Sequence, residues 1–275
     1  MPELPEVEVT RRQLAPLLVG RIVSDVGTTS PSYFFVTPPS ALRRKLRGRR
    51  ILALDRVGKY LLASLDNGDR LLLHLGMTGQ LFGAGATSVR LLSSTAGAAL
   101  APEQQLAAFR PDAHTHLRLR FRDGGPAVFF RDVRKFGKVE LLPGGRPSAR
   151  LERLGPDALR ARGDVLHAAT RRRQAPVKAV LLDQSVLAGV GNIYADEALF
   201  LACIRPTRPA HRLSRAEWRA LAAAVRRVLR RSIATGGSSI SDYVRPDGSD
   251  GAYQDERRAY GRTGEPCRRC RTSIR

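Results

Sequence analysis

Pro2, Glu3 and Glu6 stand together at the start of the chain, and their types suit covalent chemistry on a carbonyl-like carbon. Proline at position two permits removal of the initiator methionine, which leaves a free secondary amine. An α-amino group titrates near ~7.7–8.0, against ~10.4 for a lysine side chain, so a useful fraction is unprotonated at neutral pH. The positive end of a helix beginning here would depress that value further. A secondary amine condensing with an aldehyde carbon gives an iminium, which is cationic without further protonation and serves as an electron sink. Glu3 and Glu6 flank the amine and can transfer protons. The same residues also suit a plain helix start with acids in its first turn. At the other end Cys267 and Cys270 form Cys-x₂-Cys, half of a tetrahedral zinc site. Cys203, in an apolar run before Ile204-Arg205-Pro206, is expected to be a small buried residue and not a third ligand.

The elements that must position these groups follow from periodicity. Leu4, Val7, Leu14, Leu17 and Leu18 recur at three- and four-residue steps, with Gly20 beyond, which predicts a leading helix. Strand-like runs follow at Arg21 to Val26, Ile51 to Asp55, Tyr60 to Leu65, Leu71 to Leu75, Leu117 to Phe121, Val128 to Asp132 and Lys138 to Leu142. In His116 to Phe121 apolar and basic residues alternate, and Asn67-Gly68 and Asp123-Gly124-Gly125 are turn signals. Gly83 to Gln105 is rich in Gly, Ala and Ser and is expected to be a mobile insertion or long loop. From about Leu151 the period turns helical, with helices predicted over Val177 to Leu187, Asn192 to Ala202 and Ser214 to Ala234. The last has a Ser214/Glu217 capping box, a Trp218, Leu221, Val225, Val228 stripe, and an opposite face of arginines. Gly189 to Asn192 falls between two helical stretches, where glycines and a helix start favour a phosphate. The fold class expected is therefore α+β: an N-terminal antiparallel β domain behind a helix over 1–145, then a helical domain over 151–251.

The 275 residues carry 47 Lys+Arg against 25 Asp+Glu, a net charge of +22. Such a charge calls for a polyanionic partner, nucleic acid first and an anionic membrane surface second. No apolar run is long enough to span a bilayer, the acidic N-terminus is not a targeting signal, and three cysteines give no disulfide framework, which fits a cytoplasmic protein.

The string Met1-Pro2-Glu3-Leu4-Pro5-Glu6-Val7-Glu8 resembles the N-terminus of the formamidopyrimidine-DNA glycosylase family. The resemblance continues through Gly58-Lys59-Tyr60-Leu61-Leu62, His74 to Gly79, Asp132 to Gly137, Gly189 to Ala195 and Tyr260 to Cys270. It implies a β-sandwich, a helix–two-turn–helix DNA-binding domain, and a zinc-finger hairpin that begins in 252–275. It also implies a monomeric base-excision enzyme, nucleoid-associated in the cytoplasm, that removes oxidised purines from damaged double-stranded DNA and cuts the abasic sugar. By position, Pro2 would attack C1′ of the damaged nucleotide, Glu3 would be the acid/base, Glu6 would support the site, and Lys59 would contact the lesion phosphate and assist proton transfer. Met77, Arg134 and Phe136 would fill the void left by the extruded nucleotide, Arg134 reading the orphaned base. Asn192, Lys178 and His114 would bind phosphate. Gly236 to Gly251 would close over the extruded base.

Three departures stand out. Val133 replaces a usual proline, and Lys135 a common arginine. The family's zinc site needs a second Cys-x₂-Cys, which with the arginine of its hairpin is absent from these 275 residues, so an incomplete record of the gene product is expected. Two other functions compete: the endonuclease VIII branch, which prefers oxidised pyrimidines but usually has glycine where Leu4 stands, and a catalytically inert damaged-DNA-binding protein.

Overall fold

A computed structural model describes residues 1–86, 109–144, 146, 148–240 and 243–275. Helix α1 (Leu4–Leu18) comes first and buries Leu4, Val7, Leu14 and Leu18. Leu17 of the predicted stripe is half-buried, and Gly20 follows the helix at φ +84°.

Among the described residues, eight strands form two antiparallel sheets: β1 (Val23–Thr28), β2 (Ile51–Val57), β3 (Tyr60–Leu65), β4 (Arg70–His74), β5 (Gly79–Gly83), β6 (Thr115–Phe121), β7 (Val128–Asp132) and β8 (Lys138–Leu142). Their orders are β1-β6-β7-β5 and β2-β3-β4-β8. Alternate residues of both sheets, among them Leu54, Leu61, Leu73, Leu117, Leu119 and Phe130, meet in one core with the far end of α1. Asn67-Gly68 turns β3 into β4, with Gly68 at φ +83°.

Several local expectations need correction. Gly83 is the last residue of β5, paired with Val128, and so belongs to the sheet; the Ala84 amide donates to the Ala127 carbonyl at 2.7 Å just beyond it, and 87–105 of the proposed loop lies outside the described residues. The run Gln80-Leu81-Phe82 was too short to stand out from its glycines. Short helix α2 (Pro39–Leu46) also escaped prediction, because Leu42 and Leu46 are its only core side chains beside Pro39. His116 does not follow the basic side of its strand. A register shift between Thr115 and Leu117 turns it inward, where it is 1% exposed. There Nε2 donates to the Asp132 carbonyl at 2.9 Å, and burial holds its pKa down.

The second half contains α3 (Ala149–Glu152), α4 (Gly163–Thr170), α5 (Val177–Leu182), α6 (Asn192–Ala202) and α7 (Arg215–Ala234). α5 stops at Leu182, five residues before the predicted end. Asp183 breaks it, because its Oδ1 accepts from the Ser185 amide at 2.9 Å and holds a turn instead. α7 opens with the expected capping box, the Glu217 amide donating to Ser214 Oγ and the Ser214 amide to Glu217 Oε2. Trp218, Leu221, Val225 and Val228 pack with α6 into a second core, and Leu4 of α1 belongs to it. One helix thus joins both cores, which places its N-terminus at their junction. No helix among the described residues is long and apolar enough to cross a membrane.

Candidate active site

Glu3 is the residue just before α1, 2% exposed, and reaches across the junction to the start of α6. Its Oε2 accepts from the Gly191 amide at 2.7 Å and its Oε1 from the Ile193 amide at 3.0 Å. The carboxylate therefore occupies the positive end of α6, where unpaired amides favour an anion. Gly191 is required: a Cβ there would lie 2.3 Å from the Glu3 carboxyl carbon. Gly189, at φ +109°, lets its carbonyl accept from the Leu4 amide at 3.0 Å while its own Cα passes close to the Leu4 side chain. The glycine-rich turn thus holds the N-terminus first of all, with Asn192 exposed beyond it as the first residue of α6.

Lys59 comes from the β domain. It sits in the two-residue turn joining β2 to β3, not in a strand, because Gly58 takes φ +56° and Val57 pairs with Tyr60. The turn packs against Ala188 and Gly189, which buries Lys59 to 7% exposure. Burial lowers the Lys59 pKa, opposed by the charges of Glu3 and Glu6. Burial raises that of Glu3 to about 7, opposed by Lys59 and reinforced by Glu6. An acid and a base have been moved toward each other and toward neutrality, as proton transfer near pH 7 requires. Pro2 is buried beside them, whereas Met1 is 48% exposed.

Glu6 has a different task. It is 1% exposed and accepts from the Glu3 amide at 2.8 Å, the Ser238 amide at 2.9 Å and the Tyr194 hydroxyl. Tyr194 also meets Ser232 Oγ of α7 at 2.6 Å. The Tyr243 hydroxyl donates to the Glu6 carbonyl at 3.3 Å. Burial raises the pKa of Glu6, and raises that of Tyr194 well above its ordinary value. Sequence reasoning missed Tyr194, Ser232, Ser238 and Tyr243. Only Tyr194 carried a signal, as a polar residue inside the Gly189 to Ala195 string. The described part of the Gly236 to Gly251 segment is thereby tied to Glu6; Ser241 and Asp242 lie outside the described residues.

Met77, Arg134 and Phe136 are exposed on two touching loops. Gly76, at φ +62°, approaches so closely that a Cβ would lie 2.5 Å from the Gly137 nitrogen. Asp132 accepts from the Gly137 amide at 2.7 Å and from the Thr78 hydroxyl, which pins both loops. The Arg134 guanidinium lies 5.5 Å from the Phe136 ring centroid, and the Tyr33 hydroxyl donates to the Arg134 carbonyl at 2.7 Å. Met77 and Phe136, 38% and 46% exposed, are not core side chains. His74 supports the first loop: its Nδ1 accepts from the Gly76 amide at 3.2 Å, and burial with nearby Lys59, Arg150 and Lys138 lowers its pKa to about 4.

The remaining positions scatter. His114 is half-buried before β6, its carbonyl accepting from the Asp132 amide at 2.9 Å. Lys178 is committed to Asp196 at 2.8 Å. Cys267 is buried, Cys270 is exposed, and the Arg271 amide donates back to the Cys267 carbonyl at 2.9 Å across their turn. Cys203 is exposed, contrary to expectation. It ends α6 at φ +56°, which turns it outward, and Arg269 donates to its sulfur. Among the described residues no three His, Cys, Asp or Glu side chains come together to hold a metal. Two thiols do not make a tetrahedral zinc site, so the residues present do not fit the zinc that the family usually binds.

Residues 1–139 match the model of the formamidopyrimidine-DNA glycosylase N-terminal domain, and residues 154–244 that of the H2TH domain of the same enzyme. The formamidopyrimidine-DNA glycosylase of Alkalilimnicola ehrlichii is 42% identical over 280 residues, covering 100% of this chain and 94% of that one. The crystal structure of the MutM (Fpg) protein of Thermus thermophilus superposes with a TM-score of 0.81 at 37% identity, over 99% of this chain and 92% of that one. The Lactococcus lactis Fpg bound to DNA with an abasic site gives 0.80 at 30%, over 98% and 92%. Matches to both halves of the chain, and a buried amine-and-acid junction where those halves meet, agree: the chain belongs to the formamidopyrimidine-DNA glycosylase family.

Proposed function

We propose that the protein excises oxidised purines from duplex DNA and cuts the resulting abasic site, with the nitrogen of Pro2, freed of Met1, as nucleophile. The observation that carries this is Glu3: a buried carboxyl with a pKa of about 7, set on the start of α6 next to Pro2. The Pro2 nitrogen bonds C1′, and the bond from C1′ to the base breaks with its electron pair leaving on the base. The proton on the Pro2 nitrogen passes to the departing base, and Glu3 protonates the sugar ring oxygen as the nitrogen lone pair expels it, which gives the iminium. The Glu3 carboxylate so formed takes the C2′ proton, the C2′–H electron pair flows into the iminium, and the resulting enamine expels the 3′ phosphate. Loss of the C4′ proton to water then drives δ-elimination of the 5′ phosphate. Lys59 neutralises the nearby phosphate and exchanges protons with Glu3; Glu6 fixes the helix start. Asn192 and His114 bind backbone phosphates, and Lys178 joins them by releasing Asp196. The working division is 1–145 for the β domain, 151–251 for the helical domain and 252–275 for the segment bearing Cys267 and Cys270. The chromosome in the cytoplasm is the setting this activity implies.

Borohydride reduction during reaction with an 8-oxoguanine·C duplex tests the proposal. A covalent adduct mapped by mass to Pro2 is the expected product, and an adduct on a lysine would refute it.

Met77, Arg134 and Phe136 supply the wedge. Extrusion costs a few kcal/mol of unstacking, which inserted apolar and aromatic groups partly offset. Arg134→Ala or Phe136→Ala is expected to slow excision of paired 8-oxoguanine roughly tenfold to a hundredfold. Cleavage of a ready-made abasic site should change far less, since no intact base must leave the stack. Equal losses on both substrates would remove the wedge assignment.

Binding is expected to be steeply salt-dependent. Neutralising about six phosphates costs roughly a thousandfold or more in affinity between 50 and 200 mM salt. A flat profile in a titration would contradict the role given to the +22 charge.

A further inference from the structure

Helix α7 keeps a row of arginines that the site does not use. Ser232 of this helix faces Tyr194 in the active-site network. At about 100° per residue, Arg230 and Arg227 lie roughly 160° and 140° around the axis from Ser232, so they face away from the site. The other arginines of the helix are engaged. Arg215 and Arg219 share Asp164 at 2.7 and 2.8 Å, Arg226 donates to the Ala161 carbonyl at 2.6 Å, and Arg231 pairs with Glu256 at 2.5 Å. Arg227 and Arg230 are exposed and have no partner among the described residues.

Arg227 also lines a cavity of about 190 Å³ together with Arg231, Arg258 and Arg268. Its two carboxylates are already committed. Glu197 accepts from the amides of Arg258, Ala259 and Tyr260 at 2.8–3.0 Å, and Glu256 holds Arg231. The Arg258 and Arg268 side chains, both exposed, make no hydrogen bond or ion pair among the described residues. Positive charge here therefore outnumbers the acids beside it, although self-repulsion in so basic a chain disfavours that arrangement. Guanidinium groups on the exposed side of α7 and on the neighbouring 252–275 segment match a polyanion with repeated phosphates, each able to take a forked pair of hydrogen bonds.

We propose that Arg227, Arg230, Arg258 and Arg268 form a second DNA-backbone site, on the far side of the helical domain, that holds a duplex segment remote from the lesion. The functional proposal supplies only the identity of the polyanion. One protein then contacts two DNA segments, which permits direct transfer from one to the other during search.

The full chain, its cleft first filled with a duplex bearing an uncleavable abasic-site analogue, is titrated with a fluorescent undamaged duplex in about 50 mM salt. A complex of one protein with two duplexes is expected in sedimentation. With about four phosphates engaged, second-duplex affinity should fall roughly a hundredfold by 200 mM salt. Arg227→Glu with Arg230→Glu should weaken the second duplex by about tenfold or more and leave 8-oxoguanine excision within about twofold. Arg227→Lys with Arg230→Lys should retain it. Saturation at one duplex, or second-duplex binding indifferent to charge reversal, would overturn the proposal. So would preferential binding of this face to phosphatidylglycerol vesicles over DNA. A protein without excision activity whose duplex binding still falls on charge reversal would uphold this surface and refute the functional proposal alone.

Discussion

Glu3→Gln is expected to lower the rate of 8-oxoguanine excision by about a thousandfold, within the range typical of a lost general acid–base. Glutamine keeps the shape and one oxygen for the α6 amides, so the protein should fold and bind a lesion duplex normally. The pH profile separates chemistry from structure. A protonated Glu3 becomes scarcer as pH rises through about 7, while an α-amino group becomes a free nucleophile near ~7.7–8.0. Excision should therefore peak between these values and fall about tenfold per unit on the alkaline side. That alkaline limb should vanish in Glu3→Gln. Stability shifts in the same window. The folded pKa of Glu3 lies above its ordinary value of 4.5, so its contribution is complete below about 4.5 and is lost as pH rises through about 7. Denaturant melts of the wild type and Glu3→Gln at pH 5 and pH 8 check this sign; a variant with the wild-type slope would remove Glu3 as its source.

Retention of a residue ahead of Pro2 is expected to abolish covalent trapping altogether. An amide nitrogen has no available lone pair, so no iminium forms. The expected loss exceeds about a thousandfold on both a lesion and an abasic site, which distinguishes it from loss of the wedge. Binding to an abasic-analogue duplex should survive more fully than turnover, because the phosphate contacts lie on other elements. A blocked protein, verified by intact mass, is compared with the processed one by borohydride trapping. If the blocked protein traps at the same rate, a lysine is the nucleophile and the role of Pro2 is wrong.

Much of this was legible in the amino-acid order because the chemistry is local there. Pro2, Glu3 and Glu6 lie within one helical turn of each other, and the Ser214/Glu217 cap and the Asn67-Gly68 turn depend only on near neighbours. Runs of apolar residues likewise pointed to seven of the eight described sandwich strands and to α7, since burial of a face imposes a period of 2 or 3.6; β5, short and bounded by glycines, did not show. What the tertiary structure decided are contacts between residues far apart in the chain. The Gly189 to Asn192 turn looked like a phosphate loop, yet its amides first hold Glu3, some 190 residues distant along the chain. Lys59 gains its lowered pKa only when the β2–β3 turn is pressed against Gly189. Tyr194, Ser232 and Ser238 become partners of Glu6 because α1, α6 and α7 converge. Their types carry no periodic signal, and a buried carboxylate must find hydrogen bonds wherever packing brings them. Cys203 shows the same limit in reverse: composition pointed inward, and the left-handed end of α6 turned it to solvent.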